Sequence, residues 1–312
     1  MSDFAIRHYD PEKDLVLLSK MLTEIETIDR DGEETSEAYL RGMLEWKNFR
    51  PTQDAWIAEI DGRFIGYAAA IEQPSHRCTL YAVVHPSQRR MRLGSQLLEL
   101  TITRARENQL HNLMIYANEY NEASNLFLKR HQFQRVGSSG AMQAPADVLA
   151  PPPEFPIGFT LKRYSEINEP RILLHALNYC YLDMWGHQHN EHPSQEDLQS
   201  PPFLKYYDAG DILLLFDEKD ALMGICSVKS GGKQNGDGSY TDVIDAPGII
   251  KEYREQGYQQ PFVLAAIQHL RKKEARSIAL EFWGDSEQVL NIYRSLGFEM
   301  VNHYLAYHKE LK

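Results

Sequence analysis

The chain has 312 residues, a formal net charge of −11, and 43% apolar and 25% charged residues. That length exceeds the usual single domain, and the ordinary apolar share suits two soluble cores. The acidic balance argues against a general nucleic-acid binder, no window reaches the roughly 18–20 apolar residues that span a bilayer, and three scattered cysteines without metal-ligand spacing suit a reducing compartment.

The opening MSDFAIRHYDPEKD lacks the basic stretch and apolar run of a signal peptide, so a cytoplasmic location is expected. FAIRHY (4–9) reads as a short alternating strand. ETIDRDGEETSE (26–37) is acidic and expected to be solvated; facing a pocket, it would suit a cationic amine. WIAEIDGRFIGYAAA (56–70) reads as two strands joined by a tight turn at Asp61-Gly62. VVHPSQRRMRLGSQLLELTI (83–102) ends a strand, turns through three arginines and opens a helix over 93–107. LMIYAN (113–118) is the next strand, 121–131 a helix, and FQRV (133–136) a return to the sheet. GSSGAMQAPADVLAPPPEFPIGF (137–159) gathers Gly, Ser, Ala and Pro, with an extended spacer at Pro151, Pro152 and Pro153.

Beyond that break the order repeats. FTLKRY (159–164) matches FAIRHY, and ILLLFDEKDALMGICSV (212–228) matches the strand pair. GIIKEYREQGYQQPFVLAAI (248–267) matches the turn and helix, and NIYRSLGF (291–298) matches LFLKRHQF (126–133). Ile6 maps to Leu161, a shift of 155, and Gly66 to Gly224, a shift of 158. Arg89 to Arg254 and Phe133 to Phe298 are both shifts of 165. Similarity that keeps this order with small, growing insertions indicates an internal duplication. The second copy then has a helix over 258–273, strand SIALEFW (277–283), a helix over 286–296 and strand FEMVNHYLAYH (298–308). The predicted class is α/β, a mixed sheet flanked by helices in each copy, with domains at 1–140 and 158–312 and a Pro-rich linker at 141–157.

The small basic turn in an acidic chain carries the chemistry. A tight turn opening a helix leaves backbone N–H groups unpaired at the positive end of the helix dipole, a place that binds phosphate. Arg89, Arg90 and Arg92 add charge, and Gly94 allows close approach of the backbone. On these residues alone a nucleotide- or phosphate-binding regulatory module remains open.

VHPSQRRMRLGS, a strand end followed by Arg and Gly, and SEQVLNIYRSLGF, with Tyr293, Gly297 and Phe298, resemble the two signatures of the GNAT superfamily of acetyl-CoA-dependent N-acetyltransferases. The resemblance covers about residues 4–137 and 159–309, and the doubling is similar to mycothiol synthase-like two-domain acetyltransferases. It implies acetyl-CoA as cosubstrate, a small-molecule amine as acceptor, and neither a metal, a nucleic acid nor a membrane as partner. In copy one it implies coenzyme contacts from Val84, Arg89, Arg90, Arg92, Leu93, Gly94, Ser95 and Asn121. In copy two the corresponding residues are Ile249, Arg254, Gly257, Tyr258 and Gln259.

Both copies depart from the pattern. Arg92 replaces the first glycine of copy one, and Leu128 stands where the family has its tyrosine; copy two keeps Tyr293 but has Gln259 and Ser286 in place of small and amide residues. Copy one is therefore expected to hold coenzyme and copy two to do chemistry, with a degenerate acyl-CoA-binding protein as the alternative. An amine with a pKa near 10.4 is neutral in about one molecule in 2,500 at pH 7, so a base is needed. Asp242 and Asp245 face opposite sides of one strand, and Asp245 is the candidate base. The N–H of Ile249 or Ile250 would stabilise the oxyanion, and Tyr293 the leaving thiolate. Within YCYLDMWGHQHNEHPSQEDL (179–198), Trp185 with His187, His189 and His192 suits either a polar acceptor wall or a plain surface loop, the histidine spacing being unsuited to a metal.

Overall fold

A computed structural model describes residues 4–46, 48–73, 77–148, 150–182, 198, 208–234, 240–272 and 277–311. The expected acceptor residues Trp185, His187, His189 and His192 lie outside the described residues. The chain divides into two compact units, one of residues 1–136 with 304–312, the other of residues 137–303.

In the N-terminal unit the strands are β1 (Ala5–His8), β2 (Ala55–Ile60), β3 (Arg63–Gln73), β4 (Arg77–Val84) and β5 (Asn112–Asn118). They pair in that order, antiparallel except for the parallel β4–β5 pair. The unit's last strand is not the end of copy one. It is residues 304–310 of the chain's final strand β13 (Glu299–Glu310), antiparallel to β5 with Tyr304 opposite Asn118.

Both faces of the sheet are covered, which is why β3 reads as the near-continuous apolar run FIGYAAAI. Helix α1 (Pro11–Asp29) starts at an Asp10 cap with Pro11 in its first turn. It buries Leu15, Leu18, Met21, Leu22 and Ile25 against Ile57, Tyr67 and Ala69. Helix α2 (Glu37–Leu44) adds Leu40 on the same side, and a single turn, α3 (Pro51–Asp54), leads into β2. Helix α4 (Leu93–Glu107) covers the other face, packing Leu93 and Leu97 on Ala58 and Ala68. Helix α5 (Glu122–Arg130) follows β5.

The second unit repeats the plan with β7 (Thr160–Arg163), β8 (Ile212–Phe216), β9 (Leu222–Gln234), β10 (Tyr240–Asp245), the two-residue β11 (Gly248–Ile249) and β12 (Ser277–Trp283). A single turn, α6 (Tyr164–Ile167), and α7 (Pro170–Tyr179) come first; α7 packs on one face through Leu173 and Ala176. On the other lies α8 (Gln259–Arg271), through Phe262, Val263, Ala266, Ile267 and Leu270. Helix α9 (Glu287–Ser295) follows β12.

Here the sequence expectation differs from the structure. Residues 137–145, read partly as linker, continue strand β6 (Gln134–Pro145), which pairs along all of β12 from Ser139 opposite Trp283 to Pro145 opposite Ser277. The small residues that suggested a loop fit the strand: Met142 and Ala144 alternate inward and are buried, and Gly140 stands opposite Phe282. Each copy's last strand thus completes the sheet of the unit built mainly from the other copy.

Candidate functional site

The site of the N-terminal unit begins with two strands that separate. Parallel β4 and β5 are in register at Arg77–Asn112, Cys78–Leu113 and Thr79–Met114. Beyond these pairs β4 stays bound to β3 as far as Gly66 opposite Val84, while no further β4–β5 pair forms among the described residues. Residues 80–84 therefore present one backbone edge to a cleft at the carboxyl ends of the strands, the usual place for a ligand in such sheets.

At the end of β4 the chain makes a single 3-10 turn, Pro86–Gln88, then bends sharply through Arg90 (φ 68°) and Arg92 (φ 65°). Both lie in the left-handed region that disfavours a side chain by roughly 1–2 kcal/mol. The equivalent of Arg92 at the shift of 165 is Gly257, also left-handed at φ 84°. The turn thus keeps its shape in copy one despite the missing glycine. Arg92 caps α4 without a side-chain hydrogen bond, and the first turn holds no acidic residue. The leading amides at Leu93, Gly94 and Ser95 precede the first helical bond, from Gln96 N–H to the Arg92 carbonyl. Arg90 and Arg92 are exposed beside them. A Cβ on Gly94 would meet only ordinary contacts with Phe127 and Val84 at 3.6–3.7 Å, so packing does not require the glycine. Ser95 Oγ lies 3.1 Å from His131 Nε2.

Arg89 corrects one expectation. Its Nε donates to the Val84 carbonyl at 3.0 Å, and both terminal nitrogens donate to the Asp29 carboxylate at the end of α1. The guanidinium is committed inside the protein and not offered to a phosphate. Arg254 repeats the arrangement: Nε donates to the Ile249 carbonyl at 2.8 Å and Nη2 to the Cys180 carbonyl at 3.0 Å, just past α7. Asn121 differs as well. Its carbonyl caps α5 through Ser124 N–H, and its Nδ2 donates to Asp31 Oδ2 at 2.9 Å.

The acidic stretch at 26–37 has no buried residue, as a solvated face should, yet part of it is tied down by hydrogen bonds. The Asp31 carbonyl accepts from Asn118 Nδ2 at 2.9 Å and from Tyr304 Oη at 2.8 Å. Glu26 accepts from the N–H groups of Gly32 and Glu33 at 2.8 and 3.2 Å. Glu33 is an exposed residue whose carboxyl is pushed up to about 7, first by partial loss of hydration beside its neighbours and then by the charges of Asp31 and Glu26. Glu33 in turn adds to burial in raising the Tyr39, Tyr81 and Tyr304 hydroxyls. Tyr81 belongs to the open part of β4, so this acidic, phenol-lined wall stands at the cleft. Glu33 lies in the acidic stretch read as suited to a cationic amine, whereas Tyr81 and Tyr304 were not singled out; strand register brings Tyr304 to Asp31.

The second unit has the same parts in a tighter state. Its β10 and β12 pair at four positions, Asp242–Ile278 to Asp245–Glu281, and Ala246 N–H extends the ladder to the Glu281 carbonyl. Where the strands would open, the Tyr181 ring packs on Gly248, its atoms 2.4–2.7 Å from where a Cβ would stand, and its hydroxyl donates to the Ala246 carbonyl at 3.3 Å. Ile250 N–H, a candidate oxyanion donor, is spent on the Met223 carbonyl at 2.9 Å, and Ile249 lies in β11 opposite Gly224. Tyr258 and Gln259 are buried, with Gln259 Nε2 on the Arg254 carbonyl at 3.1 Å.

Tyr293, expected to face a leaving thiolate, is fully enclosed and donates to Asp285 Oδ1 at 3.1 Å. The other oxygen of Asp285 has no hydrogen-bond partner, and burial raises its carboxyl to about 6. Asp245, the expected base, is also raised to about 6, by burial and then by the charge of Glu281. The two expected catalytic side chains thus sit in the unit whose cleft is filled. Among the described residues no cluster of His, Cys, Asp and Glu could hold a metal, and no helix is long and apolar enough to cross a membrane.

Comparison with known proteins agrees with this geometry. The acetyltransferase (GNAT) family model matches residues 19–133. The mycothiol acetyltransferase of Renibacterium salmoninarum is 26% identical over 245 residues, 77% of this chain and 70% of that protein. That of Corynebacterium glutamicum is 21% identical over 313 residues, 96% of this chain and 94% of that protein. Among solved structures, a GCN5-related N-acetyltransferase from Sphaerobacter thermophilus has a TM-score of 0.77 at 19% identity, covering 98% of this chain and 95% of that one. A tandem GNAT protein from the clavulanic acid biosynthesis pathway has a TM-score of 0.63 at 15% identity, covering 99% and 98%. These structures share the fold over both units.

Proposed function

We propose, on the match of residues 19–133 to the acetyltransferase (GNAT) family, that acetyl-CoA is the donor of this chain, a small cationic amine its acceptor, and the N-terminal unit its place of reaction. One contrast carries the reading: β4 and β5 part at Thr79, whereas in the second unit the ladder runs one pair further to Asp245, Ala246 N–H adds a bond to the Glu281 carbonyl, and Tyr181 covers Gly248.

In this reading the amides of Leu93, Gly94 and Ser95 hold the coenzyme diphosphate, with Arg90 and Arg92 adding charge. The extended pantetheine lies along the open edge of residues 80–84, exchanging hydrogen bonds as an added strand would. An N–H of that edge takes the developing oxyanion. Asp31, Glu26 and Glu33 attract a protonated amine, and Glu33, poised near neutrality, takes its proton. The free amine then attacks the thioester carbon. The C–N bond forms, the C–S bond breaks, and the coenzyme leaves as a thiolate. With a pKa near 8.5 a thiolate is a competent leaving group, so the family's tyrosine, replaced by Leu128, is not obligatory.

Titration calorimetry with acetyl-CoA, CoA and ATP tests the donor, and thiol release with amines, aminoglycosides and aminosugar thiols tests the acceptor. Equal affinity for ATP and CoA would favour a nucleotide-binding regulatory module. Tight acetyl-CoA binding without thiol release would favour a degenerate acyl-CoA-binding protein, the reading that the filled second cleft supports for its own unit.

A further inference from the structure

We propose that Tyr304, carried on the chain's last strand, is a positioning residue for the transfer site of the N-terminal unit; the inference rests on the functional reading above. Tyr304 stands opposite Asn118, the final pair of the β5–β13 ladder and the end of β5 beyond which the chain turns into α5. Its hydroxyl donates to the Asp31 carbonyl at 2.8 Å, and Asn118 Nδ2 donates to the same oxygen at 2.9 Å. Two donors saturate a carbonyl and fix the plane of the peptide that follows. That peptide leads through Gly32 to Glu33, whose N–H groups are pinned on Glu26. The position of the Glu33 carboxyl is therefore set from the carbonyl that Tyr304 holds.

Internal duplication supplies the control. At the shift of 165, Tyr304 corresponds to Ser139 and Asn118 to Trp283, and these two are opposite each other in the second unit's ladder. The same register position thus carries a phenol in the unit with the open cleft and a short hydroxyl in the unit with the filled one. The neighbouring residues of β13 reinforce the first case. Tyr307 Oη donates to Asn125 Oδ1 at 2.8 Å, and Lys309 Nζ donates at 2.9 Å to the carbonyl of His131, the residue that meets Ser95.

The test compares the full-length protein with Tyr304→Phe and, as a control, Ser139→Ala. Hydrogen–deuterium exchange at residues 30–36 should rise about fivefold in Tyr304→Phe, the loss of one hydrogen bond to a partly buried carbonyl. With spermidine as the probe amine, kcat/KM should fall by a similar factor, while acetyl-CoA affinity and melting temperature hold. A purely structural role would instead lower coenzyme affinity and melting temperature together. Ser139→Ala should move none of these. Unaltered exchange at residues 30–36 in a protein that binds acetyl-CoA overturns this inference alone, whether or not spermidine turns over. A wild-type protein that binds no acetyl-CoA overturns the functional reading and this inference with it.

Discussion

Glu33→Gln separates a base at the N-terminal cleft from every other arrangement. Moving a proton from an amine of pKa 10.4 to an ordinary glutamate near 4.3 is uphill by about 8.3 kcal/mol, whereas to a carboxyl at about 7 it is uphill by about 4.6 kcal/mol. The wall built by Asp31, Glu26 and the surrounding phenols thus removes part of the barrier to making a nucleophile. A base works as the carboxylate, so kcat/KM in the wild type should climb as pH rises through about 7 and then flatten. In Glu33→Gln the limb near 7 should vanish, leaving only the slow rise from the amine's own ionisation, and kcat/KM at pH 7.5 should fall by about a hundredfold or more. Thiol release followed from pH 6 to 9 under kcat/KM conditions reads both effects. A variant that keeps the limb and most of its rate refutes the assignment of Glu33 and returns attention to Asp245.

Three further outcomes follow from the geometry. Arg92→Gly should relieve the left-handed strain at φ 65° and raise the melting temperature by a few degrees, about 1 kcal/mol. The same change removes an exposed cation, so CoA affinity should fall and depend less steeply on salt. Asp285 has its folded pKa raised to about 6, so the folded state holds its proton more tightly and stability is lost as pH climbs from about 4 to 6. Asp285→Asn should remove that loss, on the order of 2–3 kcal/mol, seen as a smaller difference between thermal unfolding at pH 4.5 and 7.5. Tyr293→Phe should leave thiol release within about twofold while costing roughly 1–3 kcal/mol of stability, because it strips Asp285 of its hydrogen bond; a large loss of turnover at unchanged stability would put the chemistry in the second unit.

How far the fold was legible depended on whether local pattern or long-range pairing decides. The duplication, the strand–turn–helix at residues 83–102 and the helices after β5 and β12 are local patterns, and they stand in the structure where periodicity puts them. Strand β6 was legible only in part, since Ser139 and Gly140 carry no strand signal of their own and are extended where β12 pairs with them. The same dependence hid Tyr304, which is brought to Asp31 by a register no local pattern encodes. Residues 26–37 read as a solvated face, and none of them is buried; what charge density does not show is the set of hydrogen bonds that Asn118, Asn121 and Tyr304, each distant along the chain, make to Asp31.

The two copies, read against each other, separate what the fold needs from what a ligand needs. Both keep the arginine that bonds the carbonyl five residues before it, Arg89 to Val84 and Arg254 to Ile249, and both tie it to the end of the helix before the first strand pair. A contact that survives in a filled cleft as well as an open one cannot depend on a coenzyme, so the first arginine of the turn is a structural tie in both. Both also keep a left-handed residue three positions later, as Arg92 and Gly257. At the cleft they differ: the ladder stops at Thr79 or runs on to Asp245, Tyr304 stands against Ser139, and the acidic wall against Tyr181 on Gly248. Differences of this kind, with the tie and the turn held constant, are what the proposed function expects if one copy carries the transfer chemistry and the other serves as scaffold. Because residues 304–310 pair with β5 and residues 139–145 with β12, neither scaffold can be discarded without opening the sheet of its neighbour in sequence.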